Sequence, residues 1–267
     1  MKKAIAIVLV VLVAFAVFAS GSAEVKQSNK ITVGATPQPH AEILNLVIDD
    51  LAAQGITLVV KEFTDYVTPN EAVESGEIDA NYFQHIPYLE AQNKDKGFHL
   101  VNAGGIHIEP IALYSKKYKS LADLPKNAKI AIPNDPTNEG RALLLLASAG
   151  LITLADPSRL DSTPIDITSN TKNLSFTEVE AASLPRVLED VDAAVINGNY
   201  ALAAGLSSTK DGILVEGADS PYVNIVAVKA GNENNDAIKA LVKALQSDKV
   251  KKWISENYKN GEVIAVF

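Results

Sequence analysis

The 267-residue sequence contains no cysteine. Without thiols the chain cannot form disulfide bonds, a thiolate metal centre or a cysteine nucleophile, so its fold must be stabilised by the core alone. A chain of this length buries well over half of the surface that its unfolded form exposes, so such a core is available. The length suits one large domain or two lobes of ordinary size.

An excess of positive charge and the common catalytic motifs are also missing. The chain has 24 Lys and Arg residues against 32 Asp and Glu residues, for a formal net charge of −8. This balance argues against a nucleic-acid partner, because phosphate binding needs clustered Lys and Arg. No G-x-S-x-G elbow, H-E-x-x-H pair or G-x-x-x-x-G-K-[ST] loop occurs. We therefore expect no enzymatic activity and no cofactor.

Histidine is scarce, and the four residues are dispersed along the chain as His40, His85, His99 and His107. A metal-binding protein would bring several histidine and acidic ligands to one point. Convergence of His40, His85 and His107 across loops is the alternative of this kind. Single histidines more often have their own separate hydrogen-bond partners, so four independent histidines are favoured over a shared metal site.

The longest unbroken apolar run covers residues 4–18. Lys2 and Lys3 precede this run and small residues follow it at 19–23, which is the layout of a secretory signal. A membrane span needs about 20 apolar residues, so a retained anchor is the less favoured alternative. We expect residues 1–23 to be a signal peptide and the protein to be exported, to the periplasm or the cell envelope.

What the sequence does contain is an alternation of strand and helix patterns that starts twice. "KITVGAT" and "ITLVVKEF" enclose the helical spacing of "AEILNLVIDDLAAQG", and the pattern restarts with "AKIAIPND" and "NEGRALLLLASAG". This predicts an α/β fold of two lobes, each a mostly parallel sheet flanked by helices. Lobe 1 is expected to cover 30–113 and 224–267, and lobe 2 to cover 114–223. Ligands of open α/β sheets bind beyond the carboxyl ends of the strands, so the loops after strands are the candidate site.

Seven segments together resemble the NlpA/MetQ family, the methionine-binding proteins that feed an ABC importer. They are "GATPQPHAEIL", "FTDYVTPNEAV", "GEIDANYFQHIPYL", "IHIEPIALYSKKYKSLADLP", "IAIPNDPTNEGRALLLL", "AAVINGNYA" and "SPYVNIVAVK". The resemblance covers essentially the whole mature chain in the right order. It implies a periplasmic-binding-protein fold similar to type 2, with methionine trapped in a cleft between the lobes. It also implies permease and ATPase partners, and we expect the chain itself to be a monomer.

Many relatives of this family are lipoproteins that are anchored through a cysteine directly after the signal. Here Ser20, Gly21 and Ser22 stand in that region, so the thioether anchor cannot form. We expect a protein released by cleavage near Ala19 or Ala23, or a sequence altered for expression.

Arg141 is the first candidate for binding the carboxylate of a free amino acid, because a guanidinium group holds a carboxylate at fixed geometry. "NDPTNEGRAL" predicts a helix that starts close to Arg141, where unpaired backbone N–H groups also favour an anion. By itself, a surface arginine paired with Glu139 or another carboxylate is the simpler interpretation. The arginine of the family matches at Arg141, so the resemblance favours the ligand role.

Phe83 and Tyr66 are the candidates for a dry slot around a thioether. Sulfur against aromatic rings contributes roughly 0.3–1.5 kcal/mol, whereas burial of the side chain contributes about 1.5–3 kcal/mol. Burial is the larger effect, so close apolar analogues could compete. Ordinary core packing explains both aromatic residues equally well.

"DANYFQHIPYLE" is expected to be extended at its start, so that alternate residues share a face. Phe83 and His85 would then line one side, while Tyr82 and Gln84 turn away. We expect His85 to offer a ring N–H to a carboxylate or an amide.

The ammonium group of the ligand needs acceptors, and amide oxygens are available in the loops after strands. By resemblance Asn197 and Asn224 are the better candidates, and Asn199 is less secure because "NGN" is strong turn chemistry. Glu109 in "HIEP" is the carboxylate that would bind an ammonium more strongly. Both L- and D-methionine fit this chemistry. The alternatives are a binding protein for metal ions, another small amino acid or a dipeptide, and a surface interaction protein.

Overall fold

The computed structural model describes residues 29–217 and 220–267. The expected signal peptide, residues 1–23, lies outside these ranges. None of the helices in the described ranges is long and apolar enough to cross a membrane.

Thirteen strands run through the described ranges. They are β1 (Lys30–Ala35), β2 (Thr57–Glu62), β3 (Ala80–His85), β4 (Leu100–Ile108), β5 (Ala112–Tyr114), β6 (Lys129–Pro133), β7 (Ile152–Leu154), β8 (Ile167–Asn170), β9 (Ser175–Val179), β10 (Ala193–Ile196), β11 (Gly212–Val215), β12 (Val223–Lys229) and β13 (Ile264–Ala265).

Ten α-helices accompany the strands in the same ranges. They are α1 (Glu42–Leu46), α2 (Ile48–Ala52), α3 (Thr68–Ser75), α4 (Ile86–Lys96), α5 (Pro136–Ser148), α6 (Leu184–Val187), α7 (Gly198–Ala203), α8 (Ser208–Asp211), α9 (Asp236–Leu245) and α10 (Asp248–Asn257).

The first sheet has six strands in the order β13-β4-β12-β3-β1-β2. Different helices cover the two faces of this sheet, as the side chains of β12 show by packing alternately on one face and the other. Val226 and Val228 pack with residues of α1, α2, α9 and α10, whereas Ile225 and Ala227 pack with α3 and α4. The period-two burial follows from the pleat, which points successive side chains to opposite faces.

The second sheet has five strands in the order β11-β5-β10-β6-β9, and β7 pairs with β8 in a separate ribbon. Along β6, Ile130 and Ile132 pack under α5, while Ala131 faces α6 and α7. The two sheets thus have separate cores, which is the physical basis of two lobes.

The two-lobed α/β fold that the sequence predicts is confirmed, but the sheets are mixed rather than mostly parallel. β2, β1 and β3 are parallel, and so are β9, β6 and β10. β12 and β4 are antiparallel to their neighbours in the first sheet, as is β5 in the second.

The chain passes between the sheets twice, between β4 and β5 and between β11 and β12. These crossings lie close to the expected divisions at Leu113 and Asn224. β3, β6 and β10 end at His85, Pro133 and Ile196. The residues that follow these ends lie at the junction of the lobes, where the fold places a ligand.

Candidate functional site

A cavity lies at the junction of the two lobes. The structure brings all seven predicted site residues to its wall: Tyr66, Phe83, His85, Arg141, Asn197, Asn199 and Asn224.

β3 carries an irregularity that decides which of its side chains meet the cavity. Ile225 pairs with Gln84 and the next residue of β12, Val226, pairs with Tyr82, so Phe83 is the extra residue of a bulge. Tyr82 turns into the core as expected and donates to Nδ1 of His107 at 2.5 Å. Gln84 does not follow Tyr82, because the bulge shifts the alternation. Gln84 lines the cavity and bonds to Asn70 and Asn81 in a buried amide network.

Aromatic rings form one wall of the cavity. The Tyr66 ring lies 5.7 Å from that of Phe83, 5.9 Å from that of Tyr88 and 4.8 Å from that of Tyr200, measured between centroids. The Tyr66 hydroxyl donates to Oδ1 of Asn199 at 2.5 Å, and the Tyr88 hydroxyl donates to the carbonyl oxygen of Tyr66 at 2.8 Å. This wall is apolar, with its hydroxyl groups already engaged, and therefore suits an apolar side chain.

His85 uses both ring nitrogens on the protein. Nδ1 accepts from the backbone N–H of Tyr88 at 3.1 Å and caps α4, so Nε2 carries the proton and donates to Oδ1 of Asn138 at 3.1 Å. Burial, and then the charge of Arg141, lower the pKa of His85 to about 3, so the ring is neutral. The ring N–H of His85 donates to a side-chain amide, in agreement with the sequence-based expectation of a carboxylate or an amide. The amide belongs to Asn138 of the opposite lobe.

Arg141 is buried at the junction and belongs to the second turn of α5, not to its start. The first turn is capped by Asp135, whose carboxylate accepts from the backbone N–H of Asn138 at 3.0 Å. The expectation that unpaired N–H groups lie beside Arg141 is therefore wrong.

The guanidinium group of Arg141 is already bound along one edge. Nε and Nη2 donate to Glu216 at 2.9 and 2.5 Å, and Nη2 also donates to the carbonyl oxygen of Glu109 at 2.7 Å. The guanidinium carbon lies 4.2 Å from the centroid of the Tyr222 ring. Within the described ranges Nη1 has no hydrogen-bond partner, so this nitrogen is the donor available to a ligand.

The three asparagines of the site have different hydrogen-bonding states. Nδ2 of Asn197 donates to Oδ1 of Asn138 at 2.7 Å, while its buried Oδ1 has no partner within the described ranges. Oδ1 of Asn199 accepts from Tyr66, and Oδ1 of Asn224 faces Nε2 of His40 at 3.1 Å. Asn197 is thus the asparagine with an acceptor available, whereas Asn224 is left with its Nδ2 as a donor.

His40, His107 and Glu109 form a buried cluster beside the cavity, and their potential ligand atoms lie within 4.8 Å of one another. The expectation that the histidines are dispersed is wrong for His40 and His107, while His85 does not join them. Oε1 of Glu109 lies 2.7 Å from Nε2 of His107 and 3.2 Å from Nε2 of His40. Nε2 of His107 hydrogen-bonds directly to Oε1 of Glu109, and these two atoms are closer together than two ligands about 2 Å from one tetrahedral metal would be. Nε2 of His40 hydrogen-bonds instead to Oδ1 of Asn224.

Sequence patterns did not single out several residues in or beside the cavity, namely Tyr88, Asn138, Tyr222 and Glu216. Asn138 could have been predicted from the sequence, because Asp135 and Pro136 mark a helix start and place Asn138 in the first turn. Tyr88 follows His85 by three residues and packs over it at 6.2 Å between ring centroids. Glu216 gave no local signal, since its partner Arg141 is 75 residues away.

Two lobes with separate cores and a lined cavity at their junction define the chain as a two-lobed substrate-binding protein. The family model described as NlpA lipoprotein matches residues 31–267, and the chain belongs to this family.

Relatives and solved structures agree with this assignment. The D-methionine-binding lipoprotein MetQ of Escherichia coli (strain K12) is 46% identical over 243 residues, which is 89% of each chain. The membrane lipoprotein TpN32 of Treponema pallidum (strain Nichols) is 44% identical over 252 residues, 94% of each chain. The structure of a nutrient binding protein from Burkholderia cenocepacia bound to methionine gives a TM-score of 0.84 at 49% identity, covering 89% of this chain and 100% of that one.

Proposed function

We propose that the protein captures free methionine between its lobes and delivers it to an ABC importer. The observation that carries the proposal is the division of the cavity into an aromatic end and a charged end. Tyr66, Phe83 and Tyr88 form the first, and Arg141 with Asn197 forms the second. A thioether side chain fits the aromatic end, and the carboxylate and ammonium groups of an amino acid fit the charged end.

The site residues take specific roles in this proposal. Nη1 of Arg141 and Nδ2 of Asn224 bind the ligand carboxylate, and Oδ1 of Asn197 accepts from the ammonium group. Tyr66, Phe83 and Tyr88 enclose the side chain. His85 and Asn199 position the walls, since both are engaged across the lobes with Asn138 and Tyr66.

Transport follows from binding without a reaction on this chain. The closed form contacts the ligand from both lobes, so methionine stabilises closure and with it a surface that the importer recognises. Permease and ATPase subunits supply the passage and the energy, and the binding protein acts as an exported monomer in the cell envelope. The methionine-related names of relatives and the methionine-bound neighbour support this role.

Calorimetric titration of the refolded mature chain with L- and D-methionine tests the proposal. We expect saturable binding that weakens by roughly 100-fold or more in Arg141→Ala, because charge-assisted hydrogen bonds to the ligand are lost. Arg141→Lys keeps the charge without the planar fork and should be weakened as well. Arg159→Ala is the matched control, since that arginine is half-exposed and pairs with Asp161 and Asp166.

The metal alternative is tested in the same experiment. Because Nε2 of His107 is engaged with Glu109 and Nε2 of His40 with Asn224, methionine binding should be unchanged after chelator treatment. A folded sample that binds neither methionine isomer would overturn the proposed function.

A further inference from the structure

Asn224 lies in β12, directly after the second chain crossing, and its buried side chain reaches the cavity. The backbone of Asn224 is held on both sides, because it pairs with His85 of β3 and with His107 of β4. These strand contacts do not decide the orientation of the side-chain amide, and half a turn of that amide exchanges its donor and its acceptor. A side-chain partner must therefore decide which of the two faces the cavity.

His40 is that partner, and its tautomer follows from its neighbours. Nε2 of His40 lies 3.2 Å from Oε1 of Glu109, and a carboxylate oxygen is an acceptor whichever way the amide of Asn224 points. Nε2 therefore carries the ring proton, while Nδ1 accepts from the Thr36 hydroxyl at 2.7 Å. The Nε2–H group donates to Oδ1 of Asn224 at 3.1 Å, and this bond sets the amide with Nδ2 on the other side.

The His40 ring is a fixed donor, because it is packed inside lobe 1. The residue is 1% exposed, and its ring meets the edge of the Tyr82 ring at 4.8 Å between centroids. Burial lowers the pKa of His40 to about 4, so the ring is neutral near pH 7 and has a single N–H group. A half-turn of the ring would carry Nδ1 away from Thr36 and leave a buried hydroxyl without its acceptor.

We infer that His40 is a positioning residue that turns Nδ2 of Asn224 into the cavity and thereby makes the site select a carboxylate over an uncharged carboxamide. This inference rests on the proposed function and adds a residue that is not in the cavity wall. A carboxylate offers only acceptors to Nδ2 of Asn224 and Nη1 of Arg141. A carboxamide brings an NH₂ group of its own, which in either orientation meets one of these two donors.

The test compares L-methionine with L-methioninamide, in which a carboxamide replaces the carboxylate, by calorimetry and displacement titration. In the native chain we expect methionine to bind at least about 100-fold tighter. His40→Met removes the donor at similar side-chain length, so the amide of Asn224 is free to turn. Methionine should then lose about tenfold in affinity and methioninamide less than about threefold, because only the carboxylate loses a charge-assisted hydrogen bond.

His40→Gln is the rescue variant, since glutamine matches methionine in length but carries an N–H donor. It should recover most of the native ratio of the two affinities, which a purely structural role of the ring does not predict. His99→Met is the matched control, because the ring of His99 is exposed and lies against Glu74. A second measurement does not depend on the folding of any variant: nitrogen NMR of isotope-labelled histidine should show His40 as the Nε2–H tautomer in the native chain.

The outcomes separate this inference from the proposed function. Native chain that binds no methionine overturns the proposed function and the inference with it. Native chain that binds methionine and methioninamide equally overturns the inference and leaves methionine binding intact, and so does an Nδ1–H tautomer of His40. Equal losses for both ligands in His40→Met, or a ratio in His40→Gln that is no closer to the native one, would show that His40 only fills space and would likewise overturn the inference.

Discussion

At the scale of single residues, the pKa of His107 differs between the folded and the unfolded chain, and the resulting pH dependence of stability can be measured. Burial lowers its pKa to about 3, against 6.5 for an exposed histidine, so the unfolded chain binds a proton in this window that the folded chain does not. The stability that His107 contributes is complete above pH 6.5 and is lost as the pH falls toward 3. The slope is at most about 1.4 kcal/mol per pH unit.

His107→Gln isolates this contribution, because glutamine keeps a donor for Glu109 and an acceptor for Tyr82 without a titrating ring. Urea denaturation at pH values from 7 to 4.5 should show the stability advantage of the native chain over the variant shrinking as the pH falls. A difference that stays constant over this range would show that His107 titrates normally in the folded state.

The chemistry of single residues could be inferred from the sequence, but their partners could not. Arg141, Phe83 and Asn197 were identified because their functional groups match those of an amino acid and they follow predicted strands. The pair of His40 and Asn224 spans 184 residues and that of Arg141 and Glu216 spans 75. Such pairs form only when each lobe folds and brings distant parts of the chain together, so no local pattern indicates that Arg141 is already bound along one edge.

At the scale of elements, α5 carries the second lobe's share of the site and packs closely through Gly140. A Cβ at this position would lie 2.2 Å from the carbonyl oxygen of Leu160 and 3.0 Å from the backbone nitrogen of Ser162. Gly140→Ala improves the intrinsic helix propensity by about 1 kcal/mol. The new Cβ would, however, clash with backbone atoms of Leu160 and Ser162, which cannot move aside as the end of a flexible side chain can. We expect a net loss of about 1–3 kcal/mol in the free energy of unfolding, measured by urea denaturation.

Gly217→Ala is the matched control for this substitution, since no atom of the described ranges outside its chain neighbours lies within 4 Å of a Cβ at that position. It should stay within about 0.5 kcal/mol of the native chain. If Gly140→Ala were instead more stable than the native chain, the close approach of α5 to Leu160 would be wrong.

The strands and helices were easier to predict from the sequence than local irregularities such as bulges. The strand-helix alternation predicted the two lobes, because buried strands and amphipathic helices have different periods. The bulge at Phe83 was not predictable, since it depends on the register of β12 against β3, and these strands are more than 130 residues apart. That bulge decides that Gln84 lines the cavity instead of following Tyr82 into the core.

At the scale of the whole molecule, hydrogen bonds between the lobes hold the cavity closed. Tyr66 bonds to Asn199, Nε2 of His85 to Asn138, and the Tyr200 hydroxyl donates to the carbonyl oxygen of Thr64 at 3.2 Å. Away from the cavity, Oγ of Ser207 donates to Oε1 of Glu262 at 2.6 Å. A ligand in the cavity adds contacts to both lobes, so it should shift the population toward this closed form.

Ser207→Ala tests this coupling without touching the cavity. Loss of a bond that exists only when the lobes meet should lower the closed population and weaken methionine binding by about 2–10-fold. Ser158→Ala is the control, because the bonds of Ser158 to Asp156 stay within one lobe. Small-angle scattering should show compaction of the native chain when methionine is added. An unchanged radius of gyration at saturating methionine would contradict closure, since a cavity reached from both lobes must open for the ligand to enter.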